Sequence, residues 1–352
     1  LAGVLVGLFF SHCLNLGIVG FVLGVVAGAA LNFAVQLPAL LKIGLRYQLV
    51  IDLRHPGVKK IGTLILPVLI GLSVTHFNLF VNQNLGSNLP SGMISALRVA
   101  QRIMQLPIGV FAVAIAVAVF PTLTGQAARE EKEQFKKTMS LGVRTIFFIT
   151  IPATIGLIAL RIPIVRLLFE QGRFTSTDTS ATVYALLFYC LGLFAYSALQ
   201  LLNRVFYAWQ DTLTPVTVGI VTIIINIVLN FALVKPMGHG GLALAYSLAG
   251  IINMLALFYL FRKKAGSLDG RRILHSFVLT LGISLVMGLV AYQTAQGMAV
   301  IIDIGTKTGQ LLQVGVSITV GVLVFGFLAF LCKMEEGELA QQILMRRLRR
   351  KW

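Results

Sequence analysis

The chain has 352 residues, 57% of them hydrophobic and only 12% charged, with a mean hydropathy of +0.89 and a formal net charge of +17. Soluble domains carry roughly twice that charged fraction, and the apolar runs recur too often for one soluble core to hide. A soluble globular protein is therefore excluded, a polytopic membrane protein is expected, and the positive charge reads as basic loops on one side of a bilayer rather than as a nucleic-acid surface.

The expected fold is all-α, a membrane bundle of about nine complete transmembrane helices and one partial one. Leu1–Phe10 covers half a span with no initiating Met, basic n-region or cleavage site, so the chain reads as a fragment that begins inside a helix. Asn15–Leu41 is a full span rich in Gly (Gly17, Gly20, Gly24, Gly28), the residue type that lets membrane helices approach closely. Lys42 to Lys60 is a basic connection. Ile61–Leu85 is a span with an unusual polar set, in which Thr75, Asn78 and Asn82 share a face beside His76. A short loop follows, with Ser91 placed to cap the next helix.

Ser95–Thr124 is the stretch that carries chemistry. Its second half, Ile108–Phe120, has no charge, whereas its first half holds Arg98 and Arg102. Ser95, Arg98, Arg102, Gln105 and Gly109 recur at helical spacing and share one face, opposite Leu97, Ala100, Met104 and Phe111. A cationic stripe on a membrane helix is costly and faces protein or water rather than lipid tails. No acid lies in the helix to neutralise it, so the stripe reads as the wall of a path for an anionic substrate. Arg102 suits phosphate because guanidinium is a planar bidentate donor. The alternative for Arg98 and Arg102 is snorkelling to the outer interface.

Gly125–Leu141 is a hydrophilic connection with a pair such as Glu133–Lys137. Gly142–Leu160 spans, with Pro152 as a kink. Arg161–Ser180 is interfacial, with Glu170, Arg173 and Asp178 fixing a helix–turn. Ala181–Leu202, Pro215–Leu233, Gly241–Phe261, Ile273–Gln296 and Leu311–Leu331 complete the spans. Asn226 and Asn230 lie one turn apart and either line a cavity, hold a cation or hydrogen-bond between helices. Tyr207, Trp209 and Asp211 anchor a turn at headgroup level. The tail Lys333–Trp352 is basic and amphipathic and lies on an anionic membrane surface. Alternate connections hold 22 and 5 Lys plus Arg, which places the richer set, and the C-terminus, in the cytoplasm. Cys13, Cys190 and Cys332 show neither metal spacing nor a disulfide framework, and no zinc, phosphate-loop or redox motif is present. No catalytic residue, metal site or cofactor is therefore expected, a coupling cation such as sodium being the one exception considered.

Four local patterns fit one family: VQLPALLKIG (Val35–Gly44), ALRVAQRIMQLPIGVFAVAIAVAVFPTLT (Ala96–Thr124), LLFEQGRFTSTDT (Leu167–Thr179) and NRVFYAWQDTLTPV (Asn203–Val216). In order and spacing they resemble the lipid II flippase family MurJ, or MviN, of the multidrug/oligosaccharidyl-lipid/polysaccharide exporter superfamily. The resemblance implies a fourteen-helix protein of which this chain covers the end of the fifth helix onward. It implies residues 1–60 as the end of the first lobe and linker, 61–262 as a second six-helix lobe, 263–332 as two helices forming a lipid-tail groove, and 333–352 as the tail. It implies alternating-access transfer of lipid II to the outer leaflet of the bacterial cytoplasmic membrane, with lipid II and membrane lipids as partners. On it, Arg102 takes the position of an essential cavity arginine and Ser95 that of a sensitive serine. Gln105 departs from the Glu often found there, which leaves Arg102 with no acidic neighbour. Arg98, Asn78 and Asn82 complete the expected substrate-binding set. A multidrug or polysaccharide-lipid exporter of the same superfamily is the alternative. Further off stand a lipid-modifying enzyme, which lacks its motifs here, and a scaffold, to which the Arg102 charge would be indifferent.

Overall fold

The computed structural model describes residues 2–12, 17–42, 81, 84–86, 89–266 and 269–337. Most of the expected span Ile61–Leu85, with Thr75, His76, Asn78 and Asn82, lies outside the described residues, as do most of the Lys42–Lys60 connection and of the tail. Every element among the described residues is a helix. Seven helices are long and apolar enough to cross a membrane, or eight if one bent pair is a single span.

The chain divides into two compact units, Leu1–Leu66 and Pro67–Trp352. In the first, α1 (Ala2–His12) packs on α2 (Gly17–Lys42). Lipid tails are as apolar as Leu, so burial alone does not drive membrane helices together, and close backbone approach has to do so. Gly20 provides it: a Cβ there would stand 2.5 Å from the Ser11 amide nitrogen.

The second unit opens with α3 (Met93–Pro107), a wide turn of π-helix (Ile108–Ala112) and α4 (Val113–Ala128), which together make one 36-residue rod. Gly92, at φ +91°, takes the N-cap position assigned above to Ser91, which falls in the preceding turn. The turn Arg129–Glu131 leads into α5 (Lys132–Ala159), so most of the expected hydrophilic connection is the first part of a long helix that continues through Pro152. Glu133 pairs with Lys136 at 2.9 Å, one helical position short of the expected Lys137.

Next come the short α6 (Arg161–Phe169), α7 (Ser176–Cys190) and α8 (Leu193–Ala208). Thr175 and Asp178 form the capping box that starts α7, and Glu170 accepts a hydrogen bond from the Thr179 hydroxyl at 2.7 Å. Helices α7 and α8 meet at a 47° bend. A break in a spanning helix frees carbonyls that lipid cannot satisfy. Here the Ser247 hydroxyl lies 2.6 Å from the Phe188 carbonyl and 3.1 Å from that of Tyr189 and serves them both.

The last four helices are α9 (Leu213–Met237), α10 (His239–Ala265), α11 (Gly270–Ile301) and α12 (Lys307–Leu331). Gly238, φ +57° and ψ −135°, is the whole connection between α9 and α10. α5 is central: it packs on α4, α8 and α11, and α11 in turn carries α12. One end of the core is an aromatic stack in which Trp209 lies 5.2 Å from Phe135 and 4.9 Å from Phe261, centroid to centroid. Outward faces of α9, α11 and α12 carry exposed residues such as Ile224, Val228, Leu289, Val322 and Phe327, the surface a bilayer requires.

Candidate functional site

Helix α3 has two unlike sides. Ala96, Ala100, Ile103 and Met104 are buried, and this side packs on α7. Ser95, Arg98, Arg102, Gln105 and Gly109 are all exposed. The structure therefore brings four of the six expected substrate-binding residues together on one open helix face; the other two, Asn78 and Asn82, lie outside the described residues. Neither Arg98 nor Arg102 has a hydrogen-bond or ion-pair partner among the described residues, in contrast to Arg144, Arg161, Arg166 and Arg204, each of which has one. Two uncompensated guanidinium groups on one span are costly, each about 2.5–3.5 kcal/mol at mid-bilayer. They are retained only where water or an anion meets them.

The back of α3 is held by an arrangement that spacing does not reveal. Gln101, one residue before Arg102, faces the Tyr246 side chain of α10. Tyr246 stacks on Tyr196 of α8, with centroids 4.4 Å apart, and the Tyr196 hydroxyl donates to the Tyr246 carbonyl at 3.1 Å. Two half-buried aromatic rings with few rotamers thus stand behind α3, on the side away from its arginines. Aromatic residues inside spans were the available signal, but pairing across helices has no local signature.

The wide turn follows at Pro107. Proline has no N–H, so the Ile103 carbonyl loses its helical partner. Six residues after Pro107, Val113 donates to Ile108, an i→i−5 bond that takes in one extra residue. The extra residue rotates everything beyond it, and Phe111, assigned above to the packed side, is 43% exposed. The open side therefore changes character along its length, from Arg98, Arg102 and Gln105 to Val110, Phe111 and Val117.

Two other groups singled out in the sequence make bonds of their own. Asn230 donates to Asn226 at 3.2 Å, with both side chains buried on α9. Asp211 caps α9, accepting from the Thr214 amide at 3.0 Å and hydroxyl at 2.7 Å, and it pairs with Lys264 of α10. Partial burial of Asp211 works to raise its pKa, but Lys264 and Thr214 outweigh it and bring the value down to about 2, from 3.8. A depressed carboxylate contributes stability that is full above its unfolded pKa and is lost as pH falls through its folded one. Acid unfolding of the parent, followed in detergent, is expected to show a loss between about pH 4 and pH 2 that Asp211→Asn lacks. Superimposable pH profiles for the two proteins would refute this.

Comparison with known proteins gives the chain its family. The family model described as "Lipid II flippase MurJ" matches residues 3–306. The "Probable lipid II flippase MurJ" of Vibrio cholerae is 38% identical over 240 residues, 68% of this chain and 46% of that protein. The "Probable lipid II flippase MurJ" of Bdellovibrio bacteriovorus is 30% identical over 325 residues, 90% of this chain and 60% of that protein. A solved "Lipid II flippase MurJ, inward closed conformation" superposes with a TM-score of 0.73 at 28% identity, over 93% of this chain and 64% of that one. A multidrug resistance MATE family transporter of the MOP superfamily shares the fold at a TM-score of 0.51 and 16% identity, over 75% of this chain and 63% of that one. The chain spans about half the length of the curated relatives it matches. With the family model covering most of its residues, the chain belongs to the lipid II flippase MurJ family.

Proposed function

We propose that the protein carrying this chain moves lipid II from the cytoplasmic to the outer leaflet of the bacterial inner membrane, with its C-terminus cytoplasmic. The observation that carries this is the open cationic face of α3, whose arginines have no partner among the described residues, in a chain of this family. Lipid II bears a pyrophosphate, and pyrophosphate is what such a face lacks. Arg102 offers a two-pronged donor, Arg98 lies one turn away, and the Ser95 hydroxyl and Gln105 amide supply neutral contacts at either end. Charge-assisted contacts strengthen where water is excluded. The same cations meeting water instead, as the lobes change their opening, weaken the contact and release the headgroup.

The face holds two cations and no acid, the opposite of what a carrier of cationic drugs needs, so the exporter alternative is disfavoured. Transfer of a headgroup across the bilayer makes and breaks no covalent bond, so the reading is of a transporter and not of an enzyme. The test is replacement of the native flippase by the full-length protein in a depletion strain. Lipid II is expected to reach an externally added probe, and growth to continue. Lipid II trapped inside despite normal protein levels would refute the assignment.

A further inference from the structure

A second cationic site lies at the end of the bundle where α5 and α11 begin and α12 ends. The first turns of α11, the residues after α12 and Arg144 of α5 enclose a cavity of about 360 Å³. Arg144, Arg271, Arg272, His275 and Lys333 line it. Glu335 and Glu336 are the acids in its wall, and both are engaged by Arg144, at 2.8 Å and 3.1 Å. Arg144, followed by Arg272, holds the Glu335 carboxyl below its ordinary range, so this acid stays ionised and tied to Arg144 at neutral pH. Arg271, Arg272 and Lys333 have no ion-pair partner among the described residues. Arg144 itself is 9% exposed, and its Nε has no hydrogen-bond partner.

Two further features give the cavity a direction. Lys333 has φ +48°, the left-handed position after a helix that glycine normally takes, so a lysine is held there at a cost to the backbone. Strain of this kind marks a residue kept for what it does. Beyond Lys333 and Met334, which belong to both walls, runs an apolar groove of about 820 Å³ bounded by Phe148, Val322, Phe325 and Phe330. A cationic chamber that shares the wall Lys333–Met334 with an apolar groove matches a phosphate with an acyl chain attached.

We propose that this cavity binds the phosphate headgroup of a resident anionic glycerophospholipid, with one acyl chain in the adjoining groove. The site shares no residue with the α3 face, and it stands whether or not the flippase assignment does. The lipid neutralises the surplus cations and joins α11 and α12 to α5 at the basic end of the bundle.

The test uses the full-length protein in neutral detergent. Phosphatidylglycerol, phosphatidylcholine or inorganic phosphate is added, and the unfolding midpoint and the lipid retained in native mass spectrometry are followed. Phosphatidylglycerol is expected to raise the midpoint and to be retained, and the other two are not. Lys333→Gly relieves the backbone, so without lipid its midpoint is expected to equal or exceed the parent's. Its affinity for phosphatidylglycerol falls about tenfold, as does that of Arg271→Gln. Equal retention of phosphatidylglycerol by parent and both variants would overturn the site. Protection by phosphatidylcholine to the same degree, or by inorganic phosphate alone, would overturn the anionic-lipid assignment.

Discussion

Arg102→Ala, made in the full-length protein, is expected to abolish growth of a flippase-depleted strain while leaving the amount of protein in the membrane unchanged. Both halves follow from where the side chain stands. It is exposed and has no partner among the described residues, so the fold loses nothing when it is cut back. Alanine also spares the helix, being its best former. What disappears is a bidentate donor to phosphate, whose charge-assisted bonds contribute about 1.5–3 kcal/mol each. Losing both prongs weakens headgroup binding by two or more orders of magnitude on that scale. Arg102→Lys keeps the charge and loses the fork, so slow growth is expected rather than none. Arg98→Ala, one turn nearer the loop, is expected to fall between parent and Arg102→Ala. Blot-normalised growth decides the matter, and full growth with Arg102→Ala would remove this residue from the transport path.

Arg144→Ala is expected to have the largest effect on stability. Arg144 reaches from α5 to Glu335 and Glu336 beyond α12, and Ser276 of α11 donates to Glu336 at 3.0 Å. The Glu336 side chain is 3% exposed, so removing the arginine leaves a buried carboxylate with only a serine. Stripping one partner from a buried pair costs about 3–5 kcal/mol, whereas replacing both by apolar residues of similar size is close to neutral. The unfolding midpoint of Arg144→Ala in detergent should fall steeply, and Arg144→Met combined with Glu336→Met should recover most of the loss. A single variant with the parent's midpoint would show that the clamp holds nothing.

These two arginines also mark what could be read without coordinates. The face of α3 needed only the 3.6-residue period, and Ser95, Arg98, Arg102 and Gln105 do share an exposed side. Arg144 has no signature of its role in the sequence, because its partners lie 191 and 192 positions away and no local pattern links them. Phe111 went to the wrong side for a different reason: Pro107 was visible, but a proline is compatible with a kink, a stop or a wide turn. Ser91 gave way to Gly92, whose φ of +91° suits a sharp approach better than a side-chain cap. The Gln101–Tyr246–Tyr196 support depends on three helices meeting, which only packing decides.

The surplus residue at Ile108–Ala112 has a mechanical consequence. A helix with one residue too many can pass it along. If the long bond at Val113 is handed to a neighbouring amide, no donor is orphaned, and only the residue that the wide turn passes changes face, by about 100°. The rod thus carries a slack turn between its charged and its lipid-like ends, where a side chain can change face without either end leaving its seat.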